Sequence, residues 1–218
     1  MERRTAEGML SSSGCLHILL EHFNFEQQPL LDAYAMGRID MAGLAAAYEE
    51  GGEGHDVAAY EPLLRLAREQ PAPIHIHAGF LPRSYARIVM RESTAAALEA
   101  ARAHDYVSAD ERCDATEAHY NFFESLLTGR SPHGSAPPTD QFRKMFPAQV
   151  IKDAAMAHRV ATLAASRPAH DKFLVICGIG HSGYGHGVPE RILAARPELA
   201  SSMLRVWSLP TDAAVDLD

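Results

Sequence analysis

The sequence predicts an α/β protein in which a partly parallel sheet of about four strands is flanked by helices. Short apolar runs of strand length recur along the chain, and helical repeats of apolar residues separate them. Glycine and proline mark the boundaries between these segments. Strands that alternate with helices are typical of parallel sheets with right-handed crossovers. The chain of 218 residues has the length of one domain, so we expect residues 1–218 to form a single α/β unit.

The elements follow from these patterns in chain order. Residues 1–14 have no periodic pattern, and we expect them to be poorly ordered. Leu16 to Leu20 is a nearly continuous apolar run, which is typical of a strand buried on both faces. Helices are then predicted at Glu26 to Met36, near Asp40, at Asp56 to Glu69, at Pro82 to Glu92, at Thr94 to Ala103 and at Asp114 to Leu127, with a second strand at Ile74 to His77.

The second half of the chain begins with a loop at 129–138, which is rich in glycine, proline and serine. A long amphipathic helix follows, and its proline at position 147 is expected to kink it or restart it in the first turn. The remaining elements are that helix at Gln141 to Ser166, a buried strand at Phe173 to Cys177, a short helix at Pro189 to Ala195 and a last strand at Leu204 to Leu209.

Charge and cysteine content exclude several classes of function. The chain has 20 basic and 28 acidic residues, a net charge of −8, and no cluster of Lys or Arg, which argues against nucleic acid or an anionic membrane as a partner. Three distant cysteines without a CxxC pair predict neither a disulfide framework nor a zinc knuckle. With no apolar stretch for a signal peptide or a membrane span, we expect a soluble cytoplasmic or organellar protein with a small-molecule ligand.

The most informative segment is Gly178 to Arg191, which follows a predicted buried strand and opens a helix. Its first ten residues include five glycines together with His181, Tyr184 and His186. Ligands of open α/β sheets bind beyond the carboxyl ends of the strands, and glycines such as Gly178 and Gly180 let the backbone come close to them. The pattern favours a ligand site over an incidental glycine-rich turn.

Other histidines and a carboxylate are candidates for the same sheet edge. Glu21 and His22 follow the first predicted strand, so they could bind a divalent metal or act in acid/base chemistry, or simply cap a helix at the surface. His75 and His77 share one strand face, and His77 lies nearer the ligand edge.

A helix also carries residues suited to a planar metal-containing ligand. His119 and Tyr120 stand beside two phenylalanines on the helix predicted at Asp114 to Leu127. Such an aromatic face is typical of a core. Tyrosine and histidine are nevertheless both axial ligands of haem iron, and aromatic rings supply apolar walls for a porphyrin.

Four segments resemble successive blocks of the ChaN-like haem-binding family, within the wider Tiki and erythromycin-esterase-like superfamily. They are Phe25 to Tyr34, Tyr60 to Arg68, Ala148 to Ala157 and Gly178 to Arg191, in family order. The resemblance runs from about Leu16 to the C-terminus. It implies a partly parallel α/β fold, haem binding between protomers as in characterised bacterial members, and a role in haem or iron handling.

The resemblance also implies roles for particular residues. Gly178-Ile179-Gly180-His181 resembles the Gly-x-x-His element near a superfamily ligand site, and Glu21 resembles the strand-end glutamate. Haem in the family is held by tyrosine and histidine, so Tyr120 and Tyr184 are competing candidates here.

The chain departs from the family pattern at its start. Members carry Gly-Glu-x-His on a strand ahead of the one at Leu16, and residues 1–14 contain no such motif. Three hypotheses follow: a haem-binding protein, with a possible homodimer; a metal-dependent hydrolase with Glu21 as acid/base and His181, His22 and His77 as metal ligands; or a truncated member without catalysis. We place haem binding first.

Overall fold

Three parallel strands form the sheet of the computed structural model, which describes residues 2–10, 14–51, 53–70, 72–131 and 139–206. In the order β2-β1-β3 across the sheet, the strands are β1 (Leu16–Asn24), β2 (Ile74–Phe80) and β3 (Lys172–Ile176). Both pairings are parallel. The α/β class is thereby confirmed, with three strands rather than about four in the described part of the chain.

Helices cover both faces of the sheet and follow the predicted order. Several begin at polar caps: the side chains of Asp40 and Ser93 accept hydrogen bonds from the first turns of their helices. The helices are α1 (Glu2–Met9), α2 (Gln28–Ala35), α3 (Met41–Glu50), α4 (Glu61–Glu69), α5 (Arg83–Arg91), α6 (Thr94–Ala103), α7 (Glu117–Thr128), α8 (Phe146–Ser166) and α9 (Val188–Ala195).

The central strand β1 is buried because it pairs on both edges and packs on both faces. Leu16, Ile18 and Leu20 belong to a core on the side of α2 and α4, whereas Leu19 belongs to a core with α8 and α9. This explains the continuous apolar run in the sequence. The strand extends to Asn24, so Glu21 lies within it rather than after it.

The long helix α8 begins at Phe146, because its proline occupies the first turn. Proline is tolerated there, where its missing N–H has no partner in any helix. The helix therefore restarts at this position, one of the two predicted outcomes. Residues 141–145 form turns before it.

The expectation of poor order over residues 1–14 is wrong for Glu2–Met9, which form α1. Arg3 and Glu7 are paired across one helical turn at 2.8 Å, and Ala6 is fully buried. The segment is polar enough to look unstructured, but burial of one small side chain against the core fixes it. Residues 1 and 11–13 lie outside the described residues.

The strand predicted at Leu204 to Leu209 is not confirmed. Residues 203–206 have no regular structure, and Leu204 is 83% exposed. A short alternation of apolar residues makes a strand only where a neighbouring strand supplies hydrogen-bond partners. Residues 207–209 lie outside the described residues, as do residues 132–138 of the predicted loop.

Candidate functional site

The glycine-rich segment forms a loop that joins β3 to α9 and packs against α7. It contains two single-turn 3-10 helices, Ile179–His181 and Gly183–Gly185. A side chain at position 183 would collide with the ring of Phe122 on α7, so glycine is required for this close approach. The loop lies beyond the carboxyl end of β3, where ligand sites of parallel sheets are found.

His181 is held inside the loop between two carboxylates. Its side chain is buried, with the residue 7% exposed, so it does not face an open crevice. Its Nδ1 lies 2.5 Å from Oδ1 of Asp153 on α8, and its Nε2 lies 3.4 Å from Oε1 of Glu21 on β1. The predicted proximity of Glu21 and His181 at one edge of the sheet is therefore found.

The two glycines predicted to approach a ligand instead hold the loop to the rest of the protein. Gly178 donates its N–H to the carboxylate of Glu21. The carbonyl oxygen of Gly180 accepts a hydrogen bond from Nε2 of Gln149, at 3.1 Å.

The electrostatic state of this cluster follows from burial and opposite charge. Burial disfavours the imidazolium of His181, but the charges of Asp153 and Glu21 outweigh it and raise the pKa of His181 to about 9. Burial would raise the pKa of Glu21, but its hydrogen bond to His181 and the charge of that ring lower it to about 2. Both shifts favour an ion pair between the carboxylate of Glu21 and the imidazolium of His181.

We expect stability to fall as the pH rises from about 6.5 to about 9. The pKa of His181 is higher in the folded protein than its ordinary value of 6.5. Its contribution is therefore complete below about pH 6.5 and is lost as the pH rises through about 9. Glu21 acts with the opposite sign: its contribution is present above about pH 4.5 and is lost as the pH falls through about 2. Urea unfolding between these limits measures both slopes.

The matched variants are His181→Gln and His170→Gln. His170 is exposed, so its replacement should leave the alkaline slope of the unfolding free energy unchanged. His181→Gln should flatten that slope. Equal slopes in the wild type and in His181→Gln would contradict the assignment of an imidazolium at this position.

A second imidazole continues the cluster on the other side of Asp153. His119 on α7 is fully buried, with Nε2 at 3.6 Å from Oδ2 of Asp153 and Nδ1 at 3.4 Å from Oε1 of Glu190 on α9. Nδ1 of His186 lies 3.6 Å from the other oxygen of Glu190. The rings of His119 and His186 are stacked with centroids 5.4 Å apart.

Carboxylates and imidazoles thus alternate from the buried His181, Asp153 and His119 out to Glu190 and His186, whose side chains are 35% and 20% exposed. We call this set the buried charge chain. Both nitrogens of His119 and Oδ2 of Asp153 have no hydrogen-bond partner among the described residues. The distances of 3.4 to 3.6 Å give electrostatic contact without a full hydrogen bond. The members of the buried charge chain are Glu21, His181, Asp153, His119, Glu190 and His186.

The two candidate tyrosines occupy very different surroundings. Tyr120 is fully buried, donates its O–H to the carbonyl oxygen of Thr139 at 2.6 Å, and lies under the guanidinium of Arg143. Tyr184 is 47% exposed on the loop, with its ring edge against Phe122. Only Tyr184 of this pair presents its side chain at the surface.

His22 lies on the opposite side of β1 from the buried charge chain. Its ring contacts Tyr60, with centroids 3.8 Å apart, and His55, at 5.0 Å. Burial lowers its pKa to about 4. Since neighbouring strand residues point to opposite faces, Glu21 and His22 do not converge.

His77 belongs to a third environment on β2. Its Nε2 is hydrogen-bonded to Nδ1 of His17 at 2.9 Å, and Nε2 of His17 lies 3.2 Å from Oδ2 of Asp171. Burial, followed by the charge of His17, lowers the pKa of His77 to about 3. The rings of His17 and His75 are stacked, so both β2 histidines share one face as predicted.

The predicted metal ligands His181, His22 and His77 are therefore not brought together. Within the described residues there is no group of three or more His, Cys, Asp or Glu side chains that could hold a metal ion. Over the same part of the chain, none of the helices has the length and apolar character needed to cross a membrane.

Sequence reasoning missed Asp153 and Glu190, which join the imidazoles to one another. A signal existed for Asp153: it falls between Val150 and Ala157 on the apolar stripe of α8, and a carboxylate at a core position needs a charged partner. Glu190 gave a weaker signal, because a glutamate in a first helical turn is usually a cap. It does accept a hydrogen bond from the N–H of Gly187, at 2.9 Å.

The fold and the site define an α/β protein with a parallel sheet and a glycine-rich candidate ligand loop beyond a strand end. The chain belongs to the family described as haem-binding uptake, Tiki superfamily, ChaN, whose model matches residues 2–192. This confirms the resemblance found in the sequence. Searches of curated proteins and of solved structures gave no match.

Proposed function

We propose that this protein binds haem on the surface formed by the loop and α7, with Tyr184 as the iron ligand, in the service of haem or iron handling. The observation that carries the proposal is the exposed phenol of Tyr184 on a glycine-flanked turn in a chain of a haem-binding family. We name this area the loop–helix surface. It comprises Phe122, Leu126, Ile179, Tyr184 and His186.

The chemistry of this surface suits a flat, largely apolar ligand. Leu126 and Ile179 are 43% and 44% exposed, so this surface presents large apolar side chains to a ligand. Leu126 lies against Gly180, and the next residue of its helix, Leu127, is also exposed. A porphyrin laid here would cover apolar groups that otherwise face water.

Tyr184 has a backbone conformation that is unusual for a tyrosine. Its φ of 52° lies in the left-handed region, which side chains other than those of glycine, asparagine and aspartate seldom adopt. Tyrosine is an axial ligand of haem iron in proteins, and bound haem would supply the metal centre that a phenolate oxygen ligates. His186 stands two residues away, beside Phe122, where it can contact the same ligand.

The buried charge chain would give the ligand loop a fixed shape. Glu21 binds the loop at Gly178, Asp153 binds it at His181, and Glu190 binds it at Gly187. In this proposal His181 positions the loop and does not touch the ligand. A loop fastened at its two ends and its middle holds Tyr184 in place, so less conformational entropy is lost when the ligand binds.

Positive charge near the loop also suits the negatively charged propionate groups of haem. The guanidinium of Arg205 lies against Gly185, next to Tyr184, and its side chain is exposed. Because the loop–helix surface is open, it would cover one face of a haem and leave the other for a second copy of the chain. This supports the homodimer that the family resemblance implies.

We expect Tyr184→Phe to weaken haemin binding by about tenfold or more, because it removes the ligating oxygen and keeps the ring. Titration of purified protein with haemin, followed at the Soret band, measures the affinity. The ligand-to-iron charge-transfer band of a phenolate complex should disappear in the same variant.

Tyr120→Phe is the matched control and tests the competing tyrosine. It removes the hydroxyl that donates a partly buried hydrogen bond to Thr139, so it should lower stability by about 1 kcal/mol. The haemin spectrum should stay unchanged. The proposal fails if Tyr184→Phe binds haemin with wild-type affinity and spectrum. It also fails if the Tyr120 variant alone loses the spectrum.

A further inference from the structure

A pocket lies outside the loop–helix surface. It is formed by the 3-10 turn that follows β1, the end of α6 and the C-terminal half of α8. Its volume is about 200 Å³. Phe25 and Tyr106 form aromatic walls, with ring centroids 4.9 Å apart. His158 and Arg159 of α8 line the opposite side. None of these residues belongs to the buried charge chain or to the loop–helix surface.

Arg159 places a positively charged guanidinium in this pocket, and part of its hydrogen-bonding capacity is unused. Its Nε is buried and has no hydrogen-bond partner among the described residues. Within the same part of the chain no carboxylate lies within 4.0 Å of its guanidinium. Burial lowers the pKa of Arg159, and the charge of Asp105 offsets this effect only in part. An arginine stays protonated in proteins, so a bound anion would add to the partial compensation by Asp105 and supply the partner that the buried Nε–H lacks.

Two neighbouring groups can complete an anion site. Nε2 of His158 is also buried without a hydrogen-bond partner in the described chain. The hydroxyl of Thr162, one helical turn from His158, lines the same pocket. A guanidinium, an imidazole and a hydroxyl are the donors that carboxylate and phosphate oxygens accept from.

One carboxylate opposes an anion here. Asp105 lines the pocket, but its side chain is 86% exposed at the rim and lies 3.4 Å from His158. Water screens an exposed charge, so its repulsion of a bound anion is modest. Asp105 has a φ of 56°, a conformation that asparagine also tolerates.

We propose that this pocket binds the oxyanion of a small organic molecule, a carboxylate or a phosphate, through the guanidinium of Arg159. Arg159 would form a bidentate pair with the oxyanion, while His158 and Thr162 donate to the remaining oxygens. The aromatic walls formed by Phe25 and Tyr106 would pack against a flat group attached to the anion. The volume of about 200 Å³ limits the ligand to a small metabolite.

The test uses the full chain at low salt and three probes: inorganic phosphate, acetate and benzoate. Each is titrated while the arginine Nε–H signals are followed by NMR, and Arg159→Gln assigns the Arg159 signal by its loss. We expect a saturable shift of that signal at millimolar concentrations. Tighter binding of benzoate than acetate identifies a flat carboxylate, whereas tighter binding of phosphate identifies a phosphate compound.

Calorimetry on variants separates an effect on the site from an effect on folding. Arg159→Gln should weaken binding by about tenfold, while Arg87→Gln, an exposed arginine on α5, should not change it. Asp105→Asn should tighten binding about two- to threefold by removing a like charge, a gain that a misfolded variant cannot produce. The proposal is overturned if the Arg159 signal does not shift with any probe up to about 50 mM. It is equally overturned if Arg159→Gln folds and binds as the wild type does.

Discussion

Replacing Asp153 by asparagine should destabilise the protein by about 3 kcal/mol, because it leaves a buried imidazolium without its main counter-charge. Asp153 is fully buried on α8 and lies 2.5 Å from Nδ1 of His181. The asparagine keeps the volume, so the loss reports charge rather than packing. Urea unfolding at about pH 6, where the imidazolium is fully formed, measures the free-energy difference.

The control for this variant is Asp140→Asn. Asp140 also pairs with a basic side chain, Arg143, at 3.1 Å, but it is 93% exposed. Exposed pairs contribute less than about 1 kcal/mol, so the two identical substitutions should differ clearly. NMR titration should also show the pKa of His181 falling from about 9 in the Asp153 variant. A loss no larger than that of Asp140→Asn, with an unchanged His181 pKa, would refute the role assigned to Asp153.

Replacing Gly187 by alanine should cost about 3 kcal/mol or more, because both the backbone and the space forbid a side chain there. Gly187 has φ 70° and ψ −116°, outside the regions that residues with a Cβ occupy. A Cβ would lie 2.7 Å from the carbonyl oxygen of His181 and 2.9 Å from Oδ2 of Asp153. Thermal or urea unfolding measures the loss, and the haemin affinity of the variant should fall with it.

Two other glycines separate the backbone effect from the collision. Gly129 ends α7 with φ 71°, and no described atom lies within 4 Å of a Cβ built there. Its alanine variant should cost about 1 kcal/mol from strain alone. Gly8, inside α1, has equally open surroundings in the described structure, and alanine there should stabilise by about 0.5 to 1 kcal/mol. Equal effects at positions 187 and 129 would show that the contacts of Gly187 do not matter.

Much of the fold could be predicted because local patterns carry it. The helix Thr94–Ala103 has the bounds that the sequence predicts, and the apolar run from Leu16 marks the central strand. The last strand was predicted but is not confirmed, and α1 was not predicted. Both errors have the same physical cause. Whether a short segment is ordered depends on the partner it packs against, as Ala6 does in the core, and a single sequence does not name that partner.

The candidate site could be predicted only in part, for a similar physical reason. Glu21 and His22 were both expected near His181 because they follow the predicted strand, and Glu21 does lie there. The strand runs on through both residues, so the period of two sends His22 to the other face. Tyr120 and Tyr184 could not be ranked from the sequence, since exposure of a side chain is set by tertiary packing. The sequence shows Asp153 only as a charged residue in an apolar stripe. Its role depends on the imidazole of His181, which lies on a loop far from it in the sequence.

The order of the strands has a consequence for how the chain reaches its native state. The central strand begins at Leu16, yet its partner on one side, Lys172, is synthesised more than 150 residues later. Such a high contact order slows folding. Until β3 has been synthesised, one edge of β1 lacks its native strand partner and its backbone groups are open to pairing with other chains.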